Sequence, residues 1–172
     1  MRRVILELGT TVELDGVPLA IFPDVEAFLG ANDAVLRAAG LSTGKLATLW
    51  RVGQAIASGA ISEAMLDARS SADAGHLLSD IKGIGPWTAA VILLRGLGRL
   101  DVFPGHDSSV AANLVLAAGE RIDIGAALET LGSQRGMLYF CLLLARLEAR
   151  GEIGRASDVG TVARSGRAYR WP

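Results

Sequence analysis

The sequence predicts an all-α protein, and three observations support that fold class. About half of the 172 residues are apolar (51%), while aromatic residues make up only 5%. Alanine, leucine and glycine dominate the apolar set, a composition that favours helices over sheets. Apolar residues also recur at helical spacing in many short runs with tight connections, which is typical of a compact multi-helix domain.

The first half of the chain is expected to form short helices around one non-helical segment. Cap residues and turn residues set the boundaries of these elements. In order, we expect a helix over residues 2–8, an irregular or weakly extended segment over 9–19 with a turn at Asp15-Gly16, helices capped by Asp24 and by Asn32 or Asp33, and helices over 45–58 and 61–69.

The second half is expected to contain a helix–turn–helix segment and three later helices. The last of them is the most apolar, so we expect it to pass through the core and to bury Cys141. In order, we expect a helix started by Ser71 or Asp73, a glycine turn, a helix over 87–94 behind Pro86, a helix opened by Asp107 or Ser108, and helices over 123–131 and 136–149.

Composition divides the chain into one domain, residues 1–153, and a tail, residues 154–172. A length of 172 residues is enough for one domain with a real core. From residue 154 the helical periodicity is lost, and four arginines face one acid, Asp158. We expect a basic, mobile tail that Tyr169 and Trp171 dock onto the domain.

Charge and cysteine content exclude several classes of protein. The net charge of −1 lacks the basic excess of many nucleic-acid-binding domains, so tight non-specific DNA binding is not expected. No apolar run is long enough to cross a bilayer, and the first residues do not form a signal peptide. Cys141 is the single cysteine, which excludes an internal disulfide and a four-cysteine iron–sulfur cluster. We therefore expect a cytoplasmic protein that has no contact with membranes.

A glycine-rich segment near the middle of the chain predicts a helical hairpin. Gly83 and Gly85 allow backbone angles closed to other residues and leave no side chain in the way of a ligand. Pro86 follows at the first position of the second helix, where proline is tolerated. The start of that helix leaves N–H groups unpaired at the positive end of the helix dipole, which predicts a phosphate site. The alternative interpretation is an ordinary helix–helix turn.

A connector and an aspartate follow the hairpin. From its local sequence alone, Asp107 is a helix N-cap, because an aspartate before an apolar periodic helix usually caps that helix. The complete pattern consists of Ile81-Lys82-Gly83-Ile84-Gly85-Pro86-Trp87-Thr88-Ala89, Leu93-Leu94-Arg95-Gly96-Leu97-Gly98, Asp101-Val102-Phe103-Pro104, and His106-Asp107-Ser108-Ser109.

This pattern resembles the helix-hairpin-helix (HhH-GPD) DNA glycosylase superfamily, most closely its 3-methyladenine DNA glycosylase II branch. The resemblance extends at lower specificity over residues 22–152. It implies a compact helical core of two lobes with the active site between them. It also implies base-excision repair, in which the protein hydrolyses the N-glycosidic bond of a damaged base in duplex DNA.

The resemblance assigns a role to each part of the pattern. Asp107 falls at the position of the catalytic aspartate. Trp87 takes the place of the lysine that forms a Schiff base in lyase-competent relatives, which implies a monofunctional enzyme. The implied base pocket contains Trp87, His106 and Tyr139. The implied phosphate site contains Lys82, Gly83, Ile84, Gly85 and Thr88, with a monovalent cation at the carbonyls of Ile81 and Ile84 and with no other cofactor.

Each of these roles has a simpler alternative: a core position for Trp87, a surface loop for His106 and a solvated side chain for Lys82. The chain offers one strong catalytic carboxylate, Asp107, and no obvious general acid. His106, beside Asp107, is the alternative candidate, which would protonate a neutral base. An N3- or N7-alkylated purine needs no acid, because its base already carries a positive charge. The sparse catalytic set therefore favours alkylated purines as substrates.

Two departures from the family support other functions. The chain starts near the end of an early core helix, so an apolar face is expected to need self-association, a partner or the tail to cover it. Gln134 stands where relatives often carry a tryptophan that lines the base pocket. Both departures favour a non-catalytic DNA-binding accessory protein derived from a glycosylase. A helical interaction module with no role on DNA is supported by the net charge alone.

Overall fold

The computed structural model describes residues 2–105, 110–119 and 122–153. The described chain is mainly helical, as the sequence predicts, with one small sheet. It falls into two compact units, the first ending at Gly98 and the second beginning at Arg99. Within the described ranges, no helix combines the length and the apolarity that a membrane span requires.

The helices and strands follow one another with short connections. The first unit contains α1 (Arg2–Leu8), β1 (Thr10–Leu14), β2 (Val17–Ile21), α2 (Val25–Gly30), α3 (Asp33–Ala38), α4 (Thr43–Ala57), α5 (Glu63–Asp67), α6 (Ser71–Ser79), α7 (Pro86–Val91) and a π-helical turn (Ile92–Gly96). The second contains α8 (Val110–Ala118), α9 (Ile124–Leu131), a 3₁₀ turn (Gly132–Gln134) and α10 (Gly136–Ala149).

Side-chain caps fix where several helices begin. Asp24 and Asn32 cap α2 and α3, as predicted, and each side chain accepts a backbone N–H at 2.7 Å. Helix α6 starts at Ser71, one of the two predicted starts, and its cap is Ser70. The Ser70 hydroxyl accepts the Asp73 N–H at 3.1 Å and donates to the Asp73 carboxylate at 2.6 Å. This reciprocal pair sets the first residue of the hairpin's first helix.

The segment before α2 is more regular than the sequence predicts. Strands β1 and β2 pair in an antiparallel ribbon. The turn between them lies at Asp15 and Gly16, the position that the sequence predicts. The register places five exposed apolar side chains on one face of the ribbon: Val12, Leu14, Val17, Leu19 and Ile21. One face of the ribbon is therefore both apolar and exposed. A partner that covers it remains a prediction.

The first unit has a core built from helices α1 to α4. Its buried members are Val4, Phe28, Leu36, Ala39, Leu41 and Leu46, with Leu8, Ala31, Leu49 and Trp50 packed against them. The rings of Phe28 and Trp50 lie 6.2 Å apart and are tilted by 56°. This contact joins α2 to α4, the helix that also supports the hairpin described below.

The second helix of the hairpin changes its winding partway along. The α-helix predicted over residues 87–94 ends at Val91, and a π-helical turn continues it. The Leu97 N–H donates to the Ile92 carbonyl five residues earlier, at 3.3 Å. Leu93 and Leu94, which are adjacent in sequence, are both buried. The wider π turn allows both side chains to enter the interior.

The second unit is organised around the packing of α8 against α10. Val110, Leu114 and Leu142 form a small buried cluster with Phe103, Ile124 and Leu138 packed against it. Helix α10 is less buried than the sequence predicts, since its fully buried residues are Gly136 and Leu142. The prediction that Cys141 is buried is wrong, because its thiol side chain is exposed on α10. The predicted tail, residues 154–172, lies outside the described residues.

Candidate nucleic-acid interface

The turn between α6 and α7 is short, and three backbone hydrogen bonds shape it. The Asp80 N–H donates to the His76 carbonyl at 3.1 Å, and the Ile81 N–H donates to the Leu78 carbonyl at 3.2 Å. The Ile84 N–H then donates to the Ile81 carbonyl at 2.9 Å. These bonds end the first helix and reverse the chain within six residues, as the motif predicts.

Gly83 is required at this turn for two reasons. Its φ is +105°, a backbone conformation that side chains disfavour. A Cβ at this position would also overlap the hydroxyl of Thr48 on α4, with Thr48 Cγ2 at 2.9 Å and Thr48 Cβ at 3.0 Å. Rotating the threonine side chain would not remove the overlap, because its Cβ stays in place. The missing side chain of Gly83 therefore allows α4 to approach the turn closely.

Gly85 has a different role from Gly83. It is the N-cap of α7, with φ −88° and ψ 173°, which any residue can adopt. A Cβ added there would meet no atom within 4 Å. Gly85 therefore leaves open space in front of α7, whereas Gly83 makes room for α4.

The start of α7 offers unpaired backbone donors. No side chain caps this helix, and Pro86 occupies its first turn. Trp87 and Thr88 follow, and the N–H groups of the first helical turn have no acceptor within a helix. The Trp87 side chain is 40% exposed, so it is not the core residue of the alternative interpretation. An exposed, uncapped helix start suits an anionic ligand.

The N–H groups predicted to bind phosphate are not equivalent in the turn. The Ile84 N–H is engaged with the Ile81 carbonyl, and the Ile84 side chain is 5% exposed. The N–H groups of Gly83 and Gly85 have no acceptor among the described residues. Two of the three predicted backbone donors are therefore free to meet a ligand.

Helix α4 supplies two residues that the sequence motif did not reveal. Thr48 lies against Gly83, and the Thr48 hydroxyl donates to the Gly44 carbonyl at 3.0 Å. Arg51 donates from Nη1 to the Lys82 carbonyl at 3.1 Å. The sequence signal is a pair of polar residues, Thr48 and Arg51, three positions apart on one face of a helix. Such a pair usually indicates a solvated face, so it does not distinguish a supporting role.

Charged side chains also flank the turn. The side chain of Lys82 is exposed, while its backbone carbonyl is held by Arg51. One cationic side chain, Lys82, therefore belongs to the turn, and a second, Arg51, supports it. The exposed carboxylate of Asp80 lies two residues before Lys82. Among the described residues, no cluster of histidine, cysteine and acidic side chains has the arrangement of a metal site.

The second unit carries the other predicted site residues. Asp107 and His106 lie outside the described residues. The chain on either side of them is anchored, because Pro104 and Val110 are both buried. Tyr139, on α10, is half-buried, and its ring meets Phe140 edge-on at 6.0 Å.

Known proteins of one class share this fold and part of this sequence. No protein-family model matches the chain. DNA-3-methyladenine glycosylase 1 from Schizosaccharomyces pombe is 33% identical over 90 residues, which make up 52% of this chain and 40% of that protein. A 3-methyladenine DNA glycosylase structure from Archaeoglobus fulgidus matches with a TM-score of 0.63 at 27% identity. That match covers 84% of this chain and 50% of the other.

A more distant structure shares the fold alone. The 8-oxoguanine glycosylase/lyase of Clostridium acetobutylicum, solved with duplex DNA, matches with a TM-score of 0.65 at 17% identity. The match covers 88% of this chain and 52% of the other, so this chain spans about half the length of these solved structures. The fold is that of the helix-hairpin-helix DNA glycosylases, and the resemblance to that superfamily is confirmed. The Schizosaccharomyces pombe protein and the Archaeoglobus fulgidus structure are both named as 3-methyladenine DNA glycosylases.

Proposed function

We propose that this chain is a monofunctional DNA glycosylase that removes alkylated purines of the 3-methyladenine type from duplex DNA. One structural observation carries the proposal: a hairpin whose second helix begins uncapped and in open space. Within the described part of the chain, the N–H groups of Gly83 and Gly85 have no acceptor. The names of the sequence relatives support the choice of substrate class.

In this proposal the hairpin binds the DNA backbone beside the lesion. A phosphate accepts hydrogen bonds from Gly83, Gly85 and the first turn of α7, where the helix dipole favours negative charge. Lys82 adds a positive charge at the rim. The carbonyls of Ile81 and Ile84 would hold a monovalent cation, which suits their oxygen donors. The Ile81 carbonyl still has a second lone pair after it accepts the Ile84 N–H.

The chemical step requires the damaged nucleotide to leave the base stack. Phosphate contacts position the protein, and the weaker stacking of a lesion favours its rotation into a pocket. Trp87, with its exposed indole, His106 and Tyr139 are the proposed pocket residues. Trp87 has no amine, so it cannot form the Schiff base needed to cleave the strand.

Asp107 then supplies the one catalytic carboxylate. The bond between C1′ and the base nitrogen breaks, and its electron pair leaves with the alkylated base, neutralising the positive charge of the base. The sugar passes through an oxocarbenium-like state that a fixed carboxylate stabilises. Water adds to C1′ and gives its proton to Asp107, which leaves an abasic site.

The proposal is tested by measuring the release of free 3-methyladenine and 7-methylguanine from methylated duplex DNA. We expect release by the wild-type chain and a loss on the order of 10²–10⁴-fold in Asp107→Asn, which removes the charge but keeps the shape. Glu129→Gln, at an exposed carboxylate of the same unit, is the matched control and should keep full activity. Borohydride should trap no covalent adduct between the protein and the DNA.

The competing function is a DNA-binding accessory protein without catalysis. Gln134, which stands in place of an aromatic residue, favours it. The two functions separate in the same assay. A wild-type chain that binds methylated duplex DNA as tightly as Asp107→Asn but releases no base would show that it is not an enzyme.

A further inference from the structure

A side chain outside the hairpin holds the peptide that carries one of the proposed phosphate donors. Arg51, on α4, donates from Nη1 to the Lys82 carbonyl at 3.1 Å. That carbonyl belongs to the same planar trans peptide as the Gly83 N–H, and the two groups point in opposite directions. The Lys82 carbonyl faces the Arg51 guanidinium, so the Gly83 N–H is directed away from that guanidinium.

The surroundings of Gly83 leave its N–H accessible to a ligand. The Gly83 N–H has no acceptor among the described residues, and Gly83 lies on the exposed side of the turn. Thr48, one helical turn before Arg51, packs against Gly83 itself. Helix α4 therefore holds two consecutive residues of the turn, one by a hydrogen bond and one by contact.

We infer that Arg51 is a positioning residue for the phosphate site, an inference that rests on the proposed function. It acts through the Lys82–Gly83 peptide, which it fixes in the orientation that a bound phosphate requires. Without this hydrogen bond the peptide has more freedom, and ordering it at the moment of binding weakens affinity. The guanidinium need not touch the phosphate for this effect.

The test compares Arg51→Met and Arg51→Lys in binding to a duplex oligonucleotide with one abasic site, over a range of salt concentrations. Methionine keeps much of the aliphatic stem but has no donor, so we expect binding weaker by on the order of tenfold. The slope of log affinity against log salt should stay unchanged, because no cation is removed from a phosphate. Lysine keeps a donor for the carbonyl and should recover part of the lost affinity.

Arg37→Met is the matched control. Like Arg51, Arg37 donates one hydrogen bond from its Nη1, in this case to the Thr43 hydroxyl at 2.9 Å, and its side chain is exposed. We expect this variant to bind DNA within about twofold of wild type, since it loses the same charge away from the hairpin. If Arg37→Met lost as much DNA affinity as Arg51→Met, the inference would be overturned, because removal of one positive charge would then explain both losses.

Two further outcomes also decide against the positioning role. A slope lower by about 0.9 in Arg51→Met would show that Arg51 neutralises a phosphate directly. Affinity equal to wild type would show that the turn needs no support from Arg51. The melting temperature verifies that Arg51→Met is folded, and Arg51→Lys provides the comparison if it is not. A wild-type chain with no salt-dependent binding would instead count against the proposed function.

Discussion

Several turns in the first unit contain a glycine with positive φ, and two of them differ in what the glycine contributes. Gly16, in the turn between β1 and β2, has φ 76°, and a Cβ there would meet nothing within 4 Å. Gly83, in the hairpin, has φ 105°, and a Cβ there would overlap Thr48. Gly16 is favoured only because the backbone has a positive φ. Gly83 is favoured both by its positive φ and by the close packing of Thr48.

The difference shows how a turn becomes a specific site. In the ribbon, Asp15 adopts φ 51° despite its side chain, so that turn tolerates residues other than glycine. In the hairpin, the absent side chain lets α4 press against the turn and lets Arg51 reach the Lys82 carbonyl. Close support from a helix sets the direction of the backbone donors, whereas the ribbon turn has no such support.

The largest effect is expected from Gly83→Ala. Alanine at positive φ costs about 1–2 kcal/mol, and the overlap with Thr48 adds about 1–3 kcal/mol. The free energy of unfolding should therefore fall by about 2–5 kcal/mol. Binding to duplex DNA should weaken as well, because the turn must move away from α4. Denaturant unfolding and a DNA titration on the same samples measure the two effects.

The matched control for this substitution is Gly85→Ala. Gly85 has an ordinary φ and open space around it, so alanine there should change stability by less than about 1 kcal/mol. If the two variants were equally destabilised, the packing role of Gly83 would be incorrect.

The next largest effect is a partial recovery of stability, which separates the overlap with Thr48 from the strain of positive φ. Thr48→Ala removes the hydroxyl and Cγ2 from the overlap but leaves Cβ at 3.0 Å. In the Gly83→Ala background it should recover about 1–2 kcal/mol, while the positive-φ strain remains. A double-mutant cycle of unfolding free energies measures this coupling. Strict additivity of the two substitutions would show that Thr48 and residue 83 do not meet.

The smallest effect is expected at the ribbon turn. Gly16→Ala should lower the free energy of unfolding by about 1 kcal/mol, because conformational strain acts there without overlap. Gly16→Asn should be nearly neutral, since asparagine tolerates the left-handed region. Neither variant should alter DNA binding. Thermal unfolding of the two variants beside wild type is the measurement, and a loss as large as that of Gly83→Ala would remove the distinction between the turns.

Much of the fold could be predicted from the sequence because its signals are local. Asp24 and Asn32 cap helices within three residues of themselves, and Pro86 marks the start of α7. The hairpin glycines and the Asp15-Gly16 turn are equally local. These features depend on backbone angles and hydrogen bonds between near neighbours, which short stretches of sequence determine.

The remaining features depend on contacts that the sequence does not specify. Arg51 and Lys82 are separated by 31 positions, so no motif connects them. Helix α10 is apolar on most of its circumference, and periodicity could not show that the face with Cys141 would be exposed. For the candidate site, the sequence identified Gly83 and Gly85. From the sequence, unusual backbone angles and open space for a ligand are expected at both glycines. In the structure Gly83 has the positive φ, and Gly85 has an ordinary φ with open space around it.

The π turn at Ile92–Gly96 also affects how the chain should be compared with others. A helix wound wider for one turn contains one more residue than an α-helix that spans the same segment. Sequences that lack the turn would align with this chain up to Val91 and then fall one position out of phase. In an alignment, a single-residue gap between Val91 and Leu97 would therefore correspond to the change from π-helical to α-helical winding. With that gap, Leu94 would stay aligned with its counterparts.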